Sequence, residues 1–166
     1  MVKPLGQEDR AAFQCGEPEL DSYFHERASR DMKEKLSAVF ILVTEAAPNM
    51  IIGYYTLSAQ QVDAAELPDE LKKRTGKYKR IGVTLLGRLA VTNEHKGKHL
   101  GEFLLIDALH RSLAGTQNVM SFAVVVDAKG EDVASFYQKY GFVRLSGKRL
   151  MLPMKTIAKN FEFKEL

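Results

Sequence analysis

The stretch Leu86-Gly87-Arg88-Leu89-Ala90-Val91, followed by Lys96-Gly97-Lys98-His99-Leu100-Gly101, decides how the rest of the chain is read. The first six residues form a mostly apolar segment suited to a buried strand. The second six form a polar, glycine-containing loop. Phe103, Leu104, Leu105, Ala108, Leu109 and Leu113 then recur near the helical period and give the following helix an apolar face. The first N–H groups of a helix lack internal partners, and its dipole favours negative charge there. A strand, loop and helix in this order therefore form a place where backbone N–H groups converge on an anion. Lys96, Lys98 and His99 add side-chain donors at the same point.

Two familiar phosphate loops do not match. A dinucleotide fingerprint needs three glycines at fixed offsets, and a nucleotide-triphosphate loop needs Gly-Lys followed by Ser or Thr. A second element further along narrows the choice: Ala134-Ser135-Phe136-Tyr137-Gln138-Lys139-Tyr140-Gly141-Phe142. It reads as a short helix ended by Gly141 in the left-handed conformation, with Phe142 opening the next strand. Before it, Phe122-Ala123-Val124-Val125-Val126-Asp127 is rich in β-branched residues and reads as another buried strand. Together the two elements resemble the GNAT N-acetyltransferase superfamily. Its acyl-CoA pyrophosphate loop runs Gln/Arg-x-x-Gly-x-Gly/Ala, and its second signature carries Phe-Tyr before Gly-Phe. Lys96 stands at the Gln/Arg position and Gly101 at the last Gly, while His99 replaces the usual middle Gly.

The remaining chain agrees with one α/β (α+β) domain over residues 1–166. Charged residues make up 27% and the hydrophobic set 45%, an ordinary globular composition. No long apolar run or charged-then-apolar leader is present in the sequence, so neither a membrane span nor a secretory signal is expected. A single cysteine, Cys15, excludes an internal disulfide and suits a cytoplasmic location. It has no histidine close in sequence and is expected to pack rather than react. His95 and His99 are four apart but straddle a glycine with no third ligand nearby, so no metal is expected.

Pro18 suits the first turn of a first helix, with Glu17 and Glu19 at the positive end of its dipole. Leu20, Tyr23, Phe24, Arg27, Ala28 and Met32 keep the helical spacing beyond it, with Arg27 and Arg30 facing solvent. Strands are expected over 37–44 and 51–59, with a turn at Pro48-Asn49. Residues 60–80 read as a solvated loop, with a short helix start at Leu67-Pro68-Asp69-Glu70. Lys72, Lys73, Arg74, Lys77, Lys79 and Arg80 also make this stretch a candidate basic patch for a polyanion, a choice the net charge of +3 leaves open. Arg149 to Met154 reads as a last strand, followed by a mobile or short helical end.

The opening Phe13-x-Cys15-Gly16-x-x-x-Leu20-Asp21-x-Tyr23-Phe24 and the segment Gly53-Tyr54-Tyr55-Thr56-Leu57-Ser58 resemble one branch of the superfamily, the acetyltransferase toxins of bacterial toxin–antitoxin modules. The resemblance implies a mixed central sheet of about six to seven strands with about four flanking helices, splayed at the acyl-CoA site. It implies acetyl-CoA as cosubstrate, its pantetheine arm along Leu89, Ala90 and Val91 and its pyrophosphate on Lys96, Gly97, Lys98, His99, Leu100, Gly101 and Glu102. Tyr137 matches the family tyrosine that protonates the departing thiolate. The acceptor would be the α-amino group of aminoacyl-tRNA, held by Arg88, Arg27, Arg30, Lys72, Lys73 and Arg74, with Asp127, at the end of its strand, a candidate for positioning or for water-mediated deprotonation. No carboxylate base is marked, which suits an α-amino group of pKa about 8 better than a lysine near 10.4. The implied partners are aminoacyl-tRNA and a ribbon-helix-helix antitoxin. Many relatives are dimers, and a homodimer stays open for this chain. Two alternatives also stay open: a GNAT enzyme acting on a peptide N-terminus or small amine, and a CoA-binding module without catalysis.

Overall fold

Runs of β-branched and aromatic residues alternate with helical segments along the chain, and the longer runs become strands. The structure, a computed structural model, describes residues 1–161. Strands β1 (Val2–Pro4), β2 (Ala38–Leu42), β3 (Gly53–Asp63), β4 (Arg80–Val91), β5 (Ala123–Asp127), β6 (Val143–Arg144) and β7 (Arg149–Pro153) form a sheet of order β1-β2-β3-β4-β5-β7-β6. The helices are α1 (Pro18–Glu26), α2 (Ala28–Lys33), α3 (Asp69–Thr75), α4 (Leu100–Gly115), α5 (Glu131–Gln138) and α6 (Met154–Asn160). The sheet is mixed, with β4 parallel to β5 and β5 antiparallel to β7. The described residues fall into two compact units, each made from two stretches of chain.

The first unit joins Met1–Ser58 with Leu86–His110. Here β2 pairs antiparallel with β1 and with β3, placing Phe40 opposite Tyr55. The two toxin-like motifs meet in its core, beside Leu5, Val39, Ile41 and Val43. Phe13, Cys15, Tyr23 and Phe24 from the first are buried, as is Tyr54 from the second. Phe24 stacks on Tyr54 with centroids 4.3 Å apart, and Phe13 meets both rings edge-on at 4.9 and 5.4 Å. These are the geometries that the aromatic quadrupole prefers. The Tyr54 hydroxyl donates to the Leu20 carbonyl at 2.7 Å, so the buried phenol is satisfied. Gly53 must be glycine for a steric reason: a Cβ there would lie 2.8 Å from Leu104 Cδ1 and 3.1 Å from the Ala90 carbonyl oxygen.

The second unit joins Ala59–Leu85 with the chain from Arg111 onward. Five register pairs from Ala123↔Pro153 to Asp127↔Arg149 tie β5 to β7, and β6 adds to the far side of β7. Val62, Leu67, Ile81, Val83, Ala123, Val125 and Met151 form its core.

Several expected boundaries differ. The first helix breaks at Arg27, whose φ of −123° and ψ of −25° leave the helical region, so α1 and α2 replace one continuous element. The strand expected over 37–44 is confined to Ala38–Leu42, and the one over 51–59 runs from Gly53 to Asp63. Residues 60–80 are not a loop. They contain the end of β3, a 3-10 turn at Ala64–Glu66 and α3, with Leu67 and Leu71 anchoring the segment on the core. Asp69 and Glu70 open α3, and Lys72, Lys73 and Arg74 close it, each set matching the helix dipole. Within α4, Leu104, Leu105, Ala108 and Leu109 are fully buried, but Phe103 is half exposed and leaves the apolar face. The expected helical end appears as α6, and residues 162–166 lie outside the described residues.

Candidate active site

The loop between β4 and α4 is built almost entirely from backbone. β4 ends at Val91, and the Thr92 N–H donates to the Ile52 carbonyl at 3.1 Å. A 3-10 turn at Asn93–His95 follows, pinned by the Asn93 N–H on the Gln14 carbonyl at 2.9 Å and by Thr92 Oγ1 against His95 Nδ1 at 3.0 Å. Gly97 and His99 both adopt left-handed backbone, with φ of +80° and +59°. Left-handed residues within a turn aim successive N–H groups into one concavity, a recurrent anion nest. Phe103 is the first residue to close a helical bond, donating to the His99 carbonyl at 3.2 Å. The N–H groups of Gly97, Lys98, His99, Leu100 and Gly101 have no acceptor among the described residues. This fits a pyrophosphate, which supplies oxygen acceptors and the negative charge that the α4 dipole favours.

His99 stands where glycine is usual in the resembled loop, and the structure shows how the substitution is accommodated. Its backbone takes the left-handed conformation at a steric cost, while its side chain is 82% exposed, with Nδ1 3.6 Å from Glu102 Oε2. Lys96 has a different place from the one expected. Its Nζ donates to the Cys15 carbonyl, so the ammonium ties the loop to the N-terminal turn. Cys15 is buried, and burial pushes its thiol up, which suits packing and not nucleophilic attack.

On β4, Ala90 is buried and Leu89 and Val91 are half-buried. Arg88 lies with its guanidinium carbon 3.4 Å from the centroid of the Tyr23 ring, and Arg27 lies 5.9 Å from the same ring. The Tyr23 hydroxyl in turn donates to Asp31 Oδ2 at 2.9 Å, and burial together with that bond pushes the phenol up to about 12. Tyr23 and Asp31 thus orient two of the expected cations through cation–π contact. Sequence reading missed this pair because the break at Arg27 interrupts the periodicity that would join them. Arg30 is exposed on α2, and Lys72, Lys73 and Arg74 are exposed on α3.

In the second unit, Tyr137 lies on α5 and is 7% exposed. Its ring meets Phe136 and Phe142 edge-on at 5.1 and 5.3 Å. Among the described residues its hydroxyl has no hydrogen-bond partner. Burial pushes this phenol well above its usual value near 10, so it stays protonated across the physiological range. Gly141, with φ of +98°, ends the segment as expected. Asp127 is engaged: Arg149 holds it bidentately at 2.8 and 2.9 Å, and that pairing lowers its carboxyl below the usual range. A carboxylate so paired is a weaker base than a free one. No group of three or more His, Cys, Asp or Glu among the described residues is placed to hold a metal ion. None of their helices is long and apolar enough to cross a membrane.

With this geometry in place the fold is recognisable as that of the GNAT-type acetyltransferase toxins. It matches AtaT in complex with acetyl-methionyl-tRNAfMet with a TM-score of 0.89 and 28% identity, over 97% of this chain and 98% of that one. AtaTR bound with AcCoA matches with a TM-score of 0.84 and 28% identity, over 97% of both chains. No family model matches the sequence. The chain is nonetheless a homologue of curated toxins. It is 27% identical to the probable toxin TacT of Sinorhizobium fredii (strain NBRC 101917 / NGR234), over 95% of this chain and 92% of that protein. It is 29% identical to the tRNA-acetylating toxin of Mycobacterium tuberculosis (strain ATCC 25618 / H37Rv), over 81% of this chain and 78% of that protein.

Proposed function

We propose that this chain is an acetyl-CoA-dependent N-acetyltransferase acting on the α-amino group of aminoacyl-tRNA, a toxin that blocks the use of charged tRNA in translation. The observation carrying the reading is the nest at Gly97–Gly101, without an acceptor among the described residues, in a chain homologous to tRNA-acetylating toxins. Residues 1–166 act as one GNAT domain in the cytoplasm, where translation runs. The natural partner is an antitoxin of ribbon-helix-helix type that neutralises it.

Each proposed role follows from the chemistry of the residue. The N–H groups from Gly97 to Glu102 bind the pyrophosphate, and the main chain of Leu89, Ala90 and Val91 holds the pantetheine arm. Lys96 keeps the loop in place through Cys15. Acetyl-CoA supplies an acyl group on a thiolate that must leave as the amine attacks. Tyr137, kept protonated by burial, passes its proton to the departing sulfur as the nitrogen of the new amide gives one up, so that the phenol is restored and the net transfer runs from nitrogen to sulfur. Deprotonation of the acceptor makes little demand on the protein. A terminal α-amino group has a pKa of about 8, and the adjacent ester of an aminoacyl-tRNA lowers it further, so a large fraction is neutral near pH 7. Asp127, paired with Arg149, serves positioning rather than proton abstraction. Arg88, Arg27, Arg30, Lys72, Lys73 and Arg74 contact the RNA.

The test mixes the protein with labelled acetyl-CoA and a pool of charged tRNAs, with uncharged tRNA as control. Label is expected only on the charged pool and leaves with the amino acid when the ester is hydrolysed. Label on peptide N-termini or polyamines instead would replace this reading with a general amine acetyltransferase.

A further inference from the structure

The turn that joins α3 to β4 combines unpaired cations with an exposed aromatic ring. Of the cations between Lys72 and Arg80, Lys72 faces Asp69 at 4.0 Å, Arg80 faces Asp63 at 3.8 Å, and Arg74 lies 5.1 Å from the centroid of the Phe122 ring. Lys73, Lys77 and Lys79 have no ion-pair partner among the described residues. Between the last two stands Tyr78, 75% exposed, whose ring and hydroxyl make no ring contact or hydrogen bond with the described residues. Its backbone, by contrast, is held. The Tyr78 N–H donates to the Thr75 carbonyl at 3.3 Å, the Ala64 N–H donates to the Lys79 carbonyl at 2.9 Å, and Gly76 turns the chain with φ of +60°. The turn therefore presents a free ring from a fixed position, flanked by lysines on both sides.

An aromatic face between ammonium groups is the composition that binds single-stranded nucleic acid, where phosphates meet the cations and an unstacked base meets the ring. A duplex offers no free base face, and RNA is read at its loops and ends for that reason. We propose that Tyr78 stacks on an unpaired nucleotide of the RNA substrate while Lys73, Lys77 and Lys79 hold the neighbouring phosphates. This rests on the aminoacyl-tRNA reading above and assigns it a positioning residue that contributes through the ring, not through charge.

The chain contains no tryptophan, so Tyr78→Trp installs a single indole reporter at this position. Its emission should be quenched by tRNA, charged or uncharged, and left unchanged by duplex DNA. Tyr78→Ala should weaken tRNA binding and raise KM for charged tRNA roughly tenfold. The same variant should leave kcat and acetyl-CoA affinity unchanged, and Tyr78→Phe should restore binding. Because no charge is removed, the salt dependence of tRNA binding should keep its slope in Tyr78→Ala and become shallower in Lys77→Ala. Wild-type protein that acetylates charged tRNA while Tyr78→Ala binds it equally well overturns the stacking proposal alone. An indole that responds to vesicles of phosphatidylserine and phosphatidylcholine but not to tRNA also overturns it and assigns the turn to a membrane surface. Failure of the wild-type protein to bind any tRNA removes both this proposal and the substrate reading beneath it.

Discussion

The nest at Gly97–Gly101 and the phenol of Tyr137 are made in opposite ways. The first is exposed at Gly97, Lys98 and His99 and consists of main-chain donors, so the side chains along it matter mainly for the backbone angles they permit. The second is one side-chain atom at the end of a ring buried against Phe136 and Phe142. A backbone site should therefore accept any residue that can take the required angles, as His99 does with a φ of +59°, whereas a side-chain site should not. Substitutions at the two places should consequently fail in different quantities.

The largest effect is expected from Tyr137→Phe. The ring contacts survive, so thermal stability should barely move, while kcat falls about a hundred- to ten-thousand-fold with acetyl-CoA affinity unchanged. Steady-state kinetics with charged tRNA checks this, and near-wild-type turnover would return Tyr137 to a packing role. In the native protein burial keeps the phenol above its usual value near 10, so kcat should show no loss from its deprotonation between pH 7 and 9.

Next comes Gly101→Glu. The nearest atom to an added Cβ is Leu89 Cδ2 at 3.9 Å, so the fold accepts the side chain while the carboxylate opposes the pyrophosphate. Acetyl-CoA at a hundredfold excess over its Kd should stabilise the wild type by about 2.7 kcal/mol and this variant not at all. Thermal unfolding with and without ligand measures both, and an unchanged shift in the variant moves the pyrophosphate away from the nest.

A smaller effect sharpens the contrast at His99. Valine there is forced into left-handed backbone and should destabilise the protein by about 1–2 kcal/mol and weaken acetyl-CoA binding. Glycine should leave stability within about 1 kcal/mol of the native protein and preserve binding. Equal behaviour of the two variants in denaturant titration and ligand binding would show that the left-handed angle is dispensable.

The smallest effect concerns Asp127 and Arg149. Their pairing lowers the folded-state pKa of Asp127, so its stabilisation is present above the unfolded value near 3.9 and disappears as pH falls through the lower folded value. Asp127→Asn should flatten stability against pH in that acidic window and cost under about 1 kcal/mol at pH 7, as exposed pairs do. Urea titrations across the window read this directly.

How the site could be read from sequence follows the range of its interactions. The strand–loop–helix around Gly97, the helix bearing Tyr137 and the left-handed stop at Gly141 all lie within a few residues of the features that produce them. Apolar periodicity and glycine placement therefore locate them directly. Tertiary structure alone decided the rest. The motifs Phe13–Phe24 and Gly53–Ser58 identify the toxin branch by their letters, but only folding reveals that they meet at Tyr54 in the core. It likewise commits Lys96 to the Cys15 carbonyl, Arg88 to the Tyr23 face and Asp127 to Arg149. The physical reason is one of range. Helix and turn propensities act over about four residues, whereas these partners lie far apart along the chain, and a cation's charge does not encode which acceptor the folded backbone will bring to it.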